Sequence, residues 1–209
     1  MDKAVLMSIQ PKWCELIASG KKTVEVRKTR PKIETPFKVY IYCTNNGGSL
    51  HIGCGMYGKG LKLYYHKRNI AKSDLSCING KIIGEFVCDC IEPFTTDYRS
   101  DGLQTDRIVE ASCVDYFELC DYEVNSYCLY AWHISDLVIY DKPKELSEFK
   151  HECKYADSVT SKYCDGCNYY YTESNESIGF YSECTCDYLL PIRRPPQSWC
   201  YVEEVNNDD

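Results

Sequence analysis

The chain has 209 residues, 44% of them hydrophobic, with 24 Lys and Arg against 31 Asp and Glu and a formal charge of -7. That length suits one full domain with an appendage and can bury a core without cross-links. No stretch approaches the ~20 apolar residues of a membrane-spanning helix. The charge is uneven: residues 1–72 hold 14 basic and 4 acidic residues, whereas 73–209 hold 10 and 27. The acidic total argues against general coating of DNA but leaves room for a local basic surface. The opening MDKAVLMSIQPKW lacks the layout of a signal peptide, so a cytoplasmic, reducing location is expected. There, 15 Cys predict buried thiols or a metal site rather than disulfides.

Residues Ala4–Ile9 read as a short strand. Pro11 suits the first turn of a helix, where its missing N–H costs nothing. Trp13, Leu16 and Ile17 then mark one apolar helix face, and Gly20 is placed to end it in a left-handed cap. From Thr23 to Thr29 the period changes to two, with Val24 and Val26 on one side and Thr23, Glu25 and Arg27 on the other. A strand over Phe37–Cys43 follows the Thr35-Pro36 break. Residues 44–80, rich in Gly and Asn, read as loop. Strand is expected over Lys81–Cys90, helix over Asp106–Leu119, one or two strands over Tyr127–Tyr140, and a turn over Leu146–Phe149. After His151 five Cys crowd into a segment poor in aliphatic residues. Gln197–Glu203 reads as a final strand and Asn206–Asp209 as a disordered tail. Strand segments outnumber the short helices, which suggests an α+β fold: a small β-barrel with flanking helices and a Cys-rich insertion before the closing strand.

The first chemical constellation is Gly20-Lys21-Lys22-Thr23-Val24-Glu25-Val26-Arg27. A helix end, a glycine turn and a strand bring Lys22, Glu25 and Arg27 close together, and a carboxylate between two cations stays ionised and orients both. Lys28, Arg30 and Lys32 extend the positive surface. The plainer alternative is a solvated strand whose ion pairs are worth ~0–1 kcal/mol each.

Gly20-x-Lys22-x-x-Glu25-x-Arg27, preceded by Leu6-x-Ser8-Ile9-x-Pro11, resembles the signature of the ASCH domain, a member of the PUA-like superfamily. The resemblance continues in Lys81–Phe86, in Tyr130-x-Trp132-x-Ile134 and in Pro195-Pro196-Gln197-Ser198-Trp199. It implies a PUA-like barrel over residues 1–150, with 191–205 returning to close it. It also implies a basic cleft that binds RNA or a modified nucleobase or nucleoside, with Lys22, Glu25 and Arg27 lining it and Lys28 and Arg30 nearby. Some bacterial members that look similar hydrolyse the N4-acetyl amide of acetylated cytidine, pairing the motif lysine with a threonine nucleophile and a glutamate. Here Glu25 stands at the threonine position, and a carboxylate is a poor nucleophile for an amide. If the chain is an enzyme, an amidohydrolase or a ribonuclease, Lys22, Glu25 and Glu85 are the expected acid–base groups.

The second constellation is Cys164-x-x-Cys167 with Cys184-x-Cys186. Thiolates in pairs at this spacing suit tetrahedral zinc, and Cys153 is the alternative fourth ligand. A zinc-knuckle-like insertion over 151–190 is therefore expected, with zinc in a structural role and a possible protein partner on its surface. The alternative is five small buried residues. Gly53–Gly58 matches G-x-G-x-x-G, but it lacks the strand and helix that dinucleotide binding needs. Asn175-Glu176-Ser177 matches a glycosylation sequon with no secretory context. Trp132 reads as core and His133 as a structural group on the opposite face. Trp199 could pack on the barrel or stack on a base, and Tyr169–Tyr171 could stack on single-stranded nucleic acid or pack around the knuckle.

Overall fold

In a computed structural model, residues 3–54, 61–67, 76–153, 170–175, 179–184 and 189–205 are described, with 54, 61, 170–175 and 179–184 described by their backbone. In chain order, β1 (Lys3–Ile9) leads into α1 (Pro11–Ala18), then β2 (Val24–Arg27) and β3 (Phe37–Cys43). The hairpin β4 (Ser49–Cys54) and β5 (Leu61–His66) precedes β6 (Ile82–Cys88) and β7 (Ile91–Phe94). Two helices, α2 (Tyr98–Ser112) and α3 (Tyr116–Glu123), are followed by β8 (Leu129–His133) and β9 (Ser135–Lys144). A 3-10 turn (Leu146–Glu148) leads to β10 (Lys150–Glu152), and β11 (Tyr170–Asn175), β12 (Gly179–Cys184), β13 (Leu189–Pro191) and β14 (Trp199–Glu203) follow.

The main sheet runs β14-β1-β3-β6-β9, with β1 parallel to β3 and the other neighbours antiparallel. β1 is buried on both faces because cores lie on both sides of it. Val5, Met7 and Ile9 join a core with α1 and the β4–β5 hairpin, while Ala4 and Leu6 join one with Tyr40, Phe149 and Val202. A second sheet, β2-β8-β7, packs between the first core and a third one under α2 and α3. Trp132 on β8 is fully buried and meets Phe37 edge-on at 5.7 Å, which joins the two sheets. Gly84 lets β9 approach β6: a Cβ there would lie 2.3 Å from the Val138 carbonyl oxygen.

The α+β class holds, but among the described residues the strands do not close into the expected barrel. β2 pairs with β8 instead of with β3, and β8 and β9 enter different sheets although one residue separates them. The chain crosses at Ile134, whose N–H donates to the Thr23 carbonyl, and Asp136 turns it with φ 44°. Three further expectations change. The 44–80 region contains the β4–β5 hairpin, whose Leu50 and Leu63 reach the first core; the surrounding glycines masked that alternation. The helix expected over Asp106–Leu119 is two helices, because Cys113 takes φ 55° and Asp115 caps α3 by accepting from the Phe117 N–H. Strand β7 carries Pro93 inside it, which argues against a strand in the sequence.

β10 pairs antiparallel with β13, so the chain on either side of 153–188 is held together at its base. β14 pairs antiparallel with β1 at the edge of the main sheet. The tail 206–209 and Gly55–Gly58 of the glycine motif lie outside the described residues, as do Glu176 and Ser177 of the sequon. No helix among the described residues is long and apolar enough to cross a membrane.

Candidate functional site

The site begins at the end of α1. Gly20, at φ 73°, reverses the chain in the left-handed conformation that glycine adopts freely. The Lys21 and Lys22 N–H groups both donate to the Leu16 carbonyl at 3.0 Å. This turn directs Lys22 inward, where its side chain is 1% exposed. The ammonium donates to the Ser112 carbonyl at 2.7 Å, lies 3.2 Å from Glu25 Oε2 and sits 5.1 Å from the centre of the Trp13 ring.

Glu25 joins the two cations: its other oxygen lies 2.9 Å from Arg27 Nη2. Arg27 Nη2 also donates to the Ser8 carbonyl at 2.7 Å, and Nη1 to Ser198 Oγ at 3.3 Å. Arg27 Nε is buried and has no hydrogen-bond partner among the described residues. Two buried cations against one carboxylate leave a net positive charge. Such an array is tolerated only because nearly every donor is satisfied.

These residues line a cleft of about 660 Å³. Its walls include the ends of β1 and β3, Trp13 of α1, Glu118, Leu119 and Tyr122 of α3, and Pro195–Ser198. The last segment is pinned by Ser8, whose hydroxyl donates to the Pro196 carbonyl at 2.6 Å and whose N–H donates to the Ser198 carbonyl at 2.9 Å. Thr44, Asn45 and Asn46, from the region read as loop, contribute polar wall. Burial pushes the Tyr122 hydroxyl up from its ordinary pKa, with Arg27 and Glu25 acting on it in opposite senses, so it stays a neutral donor. Burial likewise raises Cys14 well above the usual thiol range, with Cys43 beside it adding to the effect.

Lys22, Glu25 and Arg27 are thus brought together, while three other expected site residues are not. Lys28 is exposed, donates to the Val124 carbonyl at 3.1 Å and sits over Tyr122 at 5.1 Å, which puts it at the rim. Arg30 is exposed and does not line the cleft. Glu85, expected as an acid–base partner, lies on β6 in the main sheet, held by the Tyr140 hydroxyl and by Lys38 at 3.4 Å, because β2 belongs to the other sheet. Trp132 is core, as expected, and His133 pairs with Glu92. Trp199 packs on Trp132 and donates to Thr29 Oγ1 at 3.0 Å. Of the metal candidates, Cys164, Cys167 and Cys186 lie outside the described residues, and Cys184 ends β12 with its backbone alone described. Cys153 is half-buried just after β10. The stacking candidate Tyr169 also lies outside the described residues, and Tyr170 and Tyr171 are placed on β11 by their backbone. The contribution of α3 went unread: the Asp115 cap was a usable sign of its start, but nothing local marked Tyr122 as cleft wall.

The sequence model of one family, the ASCH domain, matches residues 7–181. The fold is similar to that of the crystal structure of ASCH from Zymomonas mobilis, at 15% identity and a TM-score of 0.51, over 96% of this chain and 88% of that one. A single-substitution mutant of the same protein matches with the same identity and score, over 96% and 89%. At that identity the likeness concerns the fold alone. No curated protein matches.

Proposed function

The chain belongs to the ASCH domain family, and we propose that its cleft binds RNA or a modified nucleobase or nucleoside. The observation that carries this reading is the Lys22–Glu25–Arg27 array, two cations fixed by one carboxylate, lining a 660 Å³ cleft. A cavity of that size suits a nucleoside, and a lining that mixes polar side chains with Trp13, Tyr122 and aliphatic groups suits a base read by its edge. The Arg27 guanidinium, held by Glu25 and the Ser8 carbonyl, donates from its cleft edge to a base carbonyl or ring nitrogen. Glu25 holds the two cations in register, and Tyr122 and Trp13 offer aromatic surface. Exposed Lys28 and Arg30 attract the phosphate backbone.

Binding has more support than hydrolysis. Glu25 is already bound to both cations, and the Ser8 and Ser198 hydroxyls in the cleft are held by the Pro196 carbonyl and Arg27 instead of by a base. Calorimetric titration with single-stranded RNA and a panel of modified nucleosides tests the proposal. At least one ligand binds, and Arg27→Lys, which keeps the charge and loses the fixed planar donors, weakens it by about tenfold or more. Equal affinity in that variant for every ligand that binds contradicts it, as does turnover of an acylated cytidine without detectable binding at this cleft.

We further propose that Cys164, Cys167, Cys184 and Cys186 hold a structural zinc ion, with Cys153 as the alternative fourth ligand. The support is the sequence spacing, together with the β10–β13 pairing at the base of the insertion. Near-zero zinc in freshly purified, reduced protein contradicts this assignment.

A further inference from the structure

We propose that Cys90, Glu92 and His133 form a second zinc site, on the face of the β2-β8-β7 sheet opposite Glu25 and Arg27. The backbone puts the three side chains together. Glu92 pairs with Ala131 across the β7–β8 ladder, and the His133 N–H donates to the Cys90 carbonyl at 3.0 Å, continuing the register by one residue. Cys90 and Glu92 are two apart, so both point to the side that His133 occupies. Val24, the β2 neighbour of His133, points to that same side, and Glu25 and Arg27 point to the other. The site is therefore separate from the cleft.

The donor atoms of Cys90, Glu92 and His133 all lie within 4.8 Å of one another. Tetrahedral zinc with sulfur, nitrogen and oxygen ligands needs donors about 3.5 Å apart, so side-chain movements of about 1 Å complete the triangle. Sulfur, imidazole and carboxylate together match zinc better than magnesium or calcium. A thiolate and a carboxylate neutralise the dication, and water takes the fourth position. On binding, the Cys90 thiol releases its proton to solvent, and His133 carries its remaining proton on Nδ1, leaving Nε2 to the metal.

A guanidinium balances the Glu92 carboxylate in this structure. Arg107 on α2 grips the Glu92 carboxylate at 2.6 and 3.1 Å, and His133 Nε2 lies 2.5 Å from Glu92 Oε1. Arg107 is about half exposed, and an ion pair of that kind is cheaply displaced. Zinc binding thus exchanges Arg107 for the metal and staples β7 to β8.

The test is zinc stoichiometry of the full chain, reduced and equilibrated with excess Zn2+, then passed over a desalting column. Cys90→Ser retains one equivalent less than the native protein, whatever the Cys164–Cys186 segment binds. His133→Gln weakens the affected equivalent by at least about tenfold. Arg107→Ala tightens it by up to about fivefold, which loss of a structural ion pair alone does not explain. Cobalt substitution adds a thiolate-to-metal absorption that Cys90→Ser diminishes. Because Cys90 is exposed, the Cys90→Ser variant melts with the native protein in EDTA. Unchanged stoichiometry and cobalt spectrum in Cys90→Ser and His133→Gln overturn the site. Nucleoside affinity is unaffected in either case, which keeps this result independent of the cleft.

Discussion

Glu25 and Glu85 are both buried carboxylates on strands, each held by a lysine, yet they sit in different kinds of surroundings. Glu85 accepts from the Tyr140 hydroxyl and shares Lys38 with Glu204 on the main sheet. Glu25 joins two cations at the edge of an open cleft, and the neighbouring Arg27 retains an unused buried donor. The contrast teaches that a charged strand becomes a site through the turn before it and the segments that wall it. Gly20 directs Lys22 inward, and Ser8 pins Pro195–Ser198 beside it.

Removing each carboxylate gives the sharpest comparison. Glu25→Ala leaves Lys22 and Arg27 buried without a counter-ion and costs about 3–5 kcal/mol, read by urea denaturation, with loss of ligand binding in whatever fraction stays folded. Glu85→Ala costs less, about 1–3 kcal/mol, because it orphans a neutral phenol while Lys38 keeps Glu204, and it leaves ligand affinity unchanged. Equal effects on binding from the two variants break the distinction.

Alkaline stability gives a smaller effect. Burial, and then the hydrogen bond to Glu85, raise the Tyr140 hydroxyl far above its ordinary pKa. The unfolded chain therefore loses that proton first, at about pH 10. Stability conferred by the protonated phenol is fully present below that value and declines as pH rises above it. Tyr140→Phe shows a shallower decline in denaturation midpoint above pH 10 than the native protein. The smallest change is expected at the rim: Lys28→Ala weakens RNA only a few-fold and lowers the salt dependence by about one unit of slope.

Much of the cleft was legible because its determinants are local. Pro11, the Trp13–Ile17 face, Gly20 and the alternation after it are close in sequence, and together they specify a helix, a reversal and a strand. Ser8 and Ser198 could be named only through the family resemblance, since 190 residues of chain separate the hydrogen-bonded pair. Strand pairing was not legible. Glu85 and Glu25 both read as strand carboxylates, and nothing near either one says that β2 joins β8 while β6 joins β3. The Cys90–Glu92–His133 cluster escaped for the same reason: a cross-strand triangle has no sequence spacing of its own, unlike Cys164-x-x-Cys167.

The most direct measurement is the NMR resonance of the Arg27 side-chain Nε–H, assigned by its loss in Arg27→Lys, during titration with a ligand found in the RNA and nucleoside panel. Contact of the ligand with the Arg27 guanidinium predicts a shift of that resonance, saturating at the calorimetric affinity. Saturable binding that leaves it unmoved contradicts the central claim.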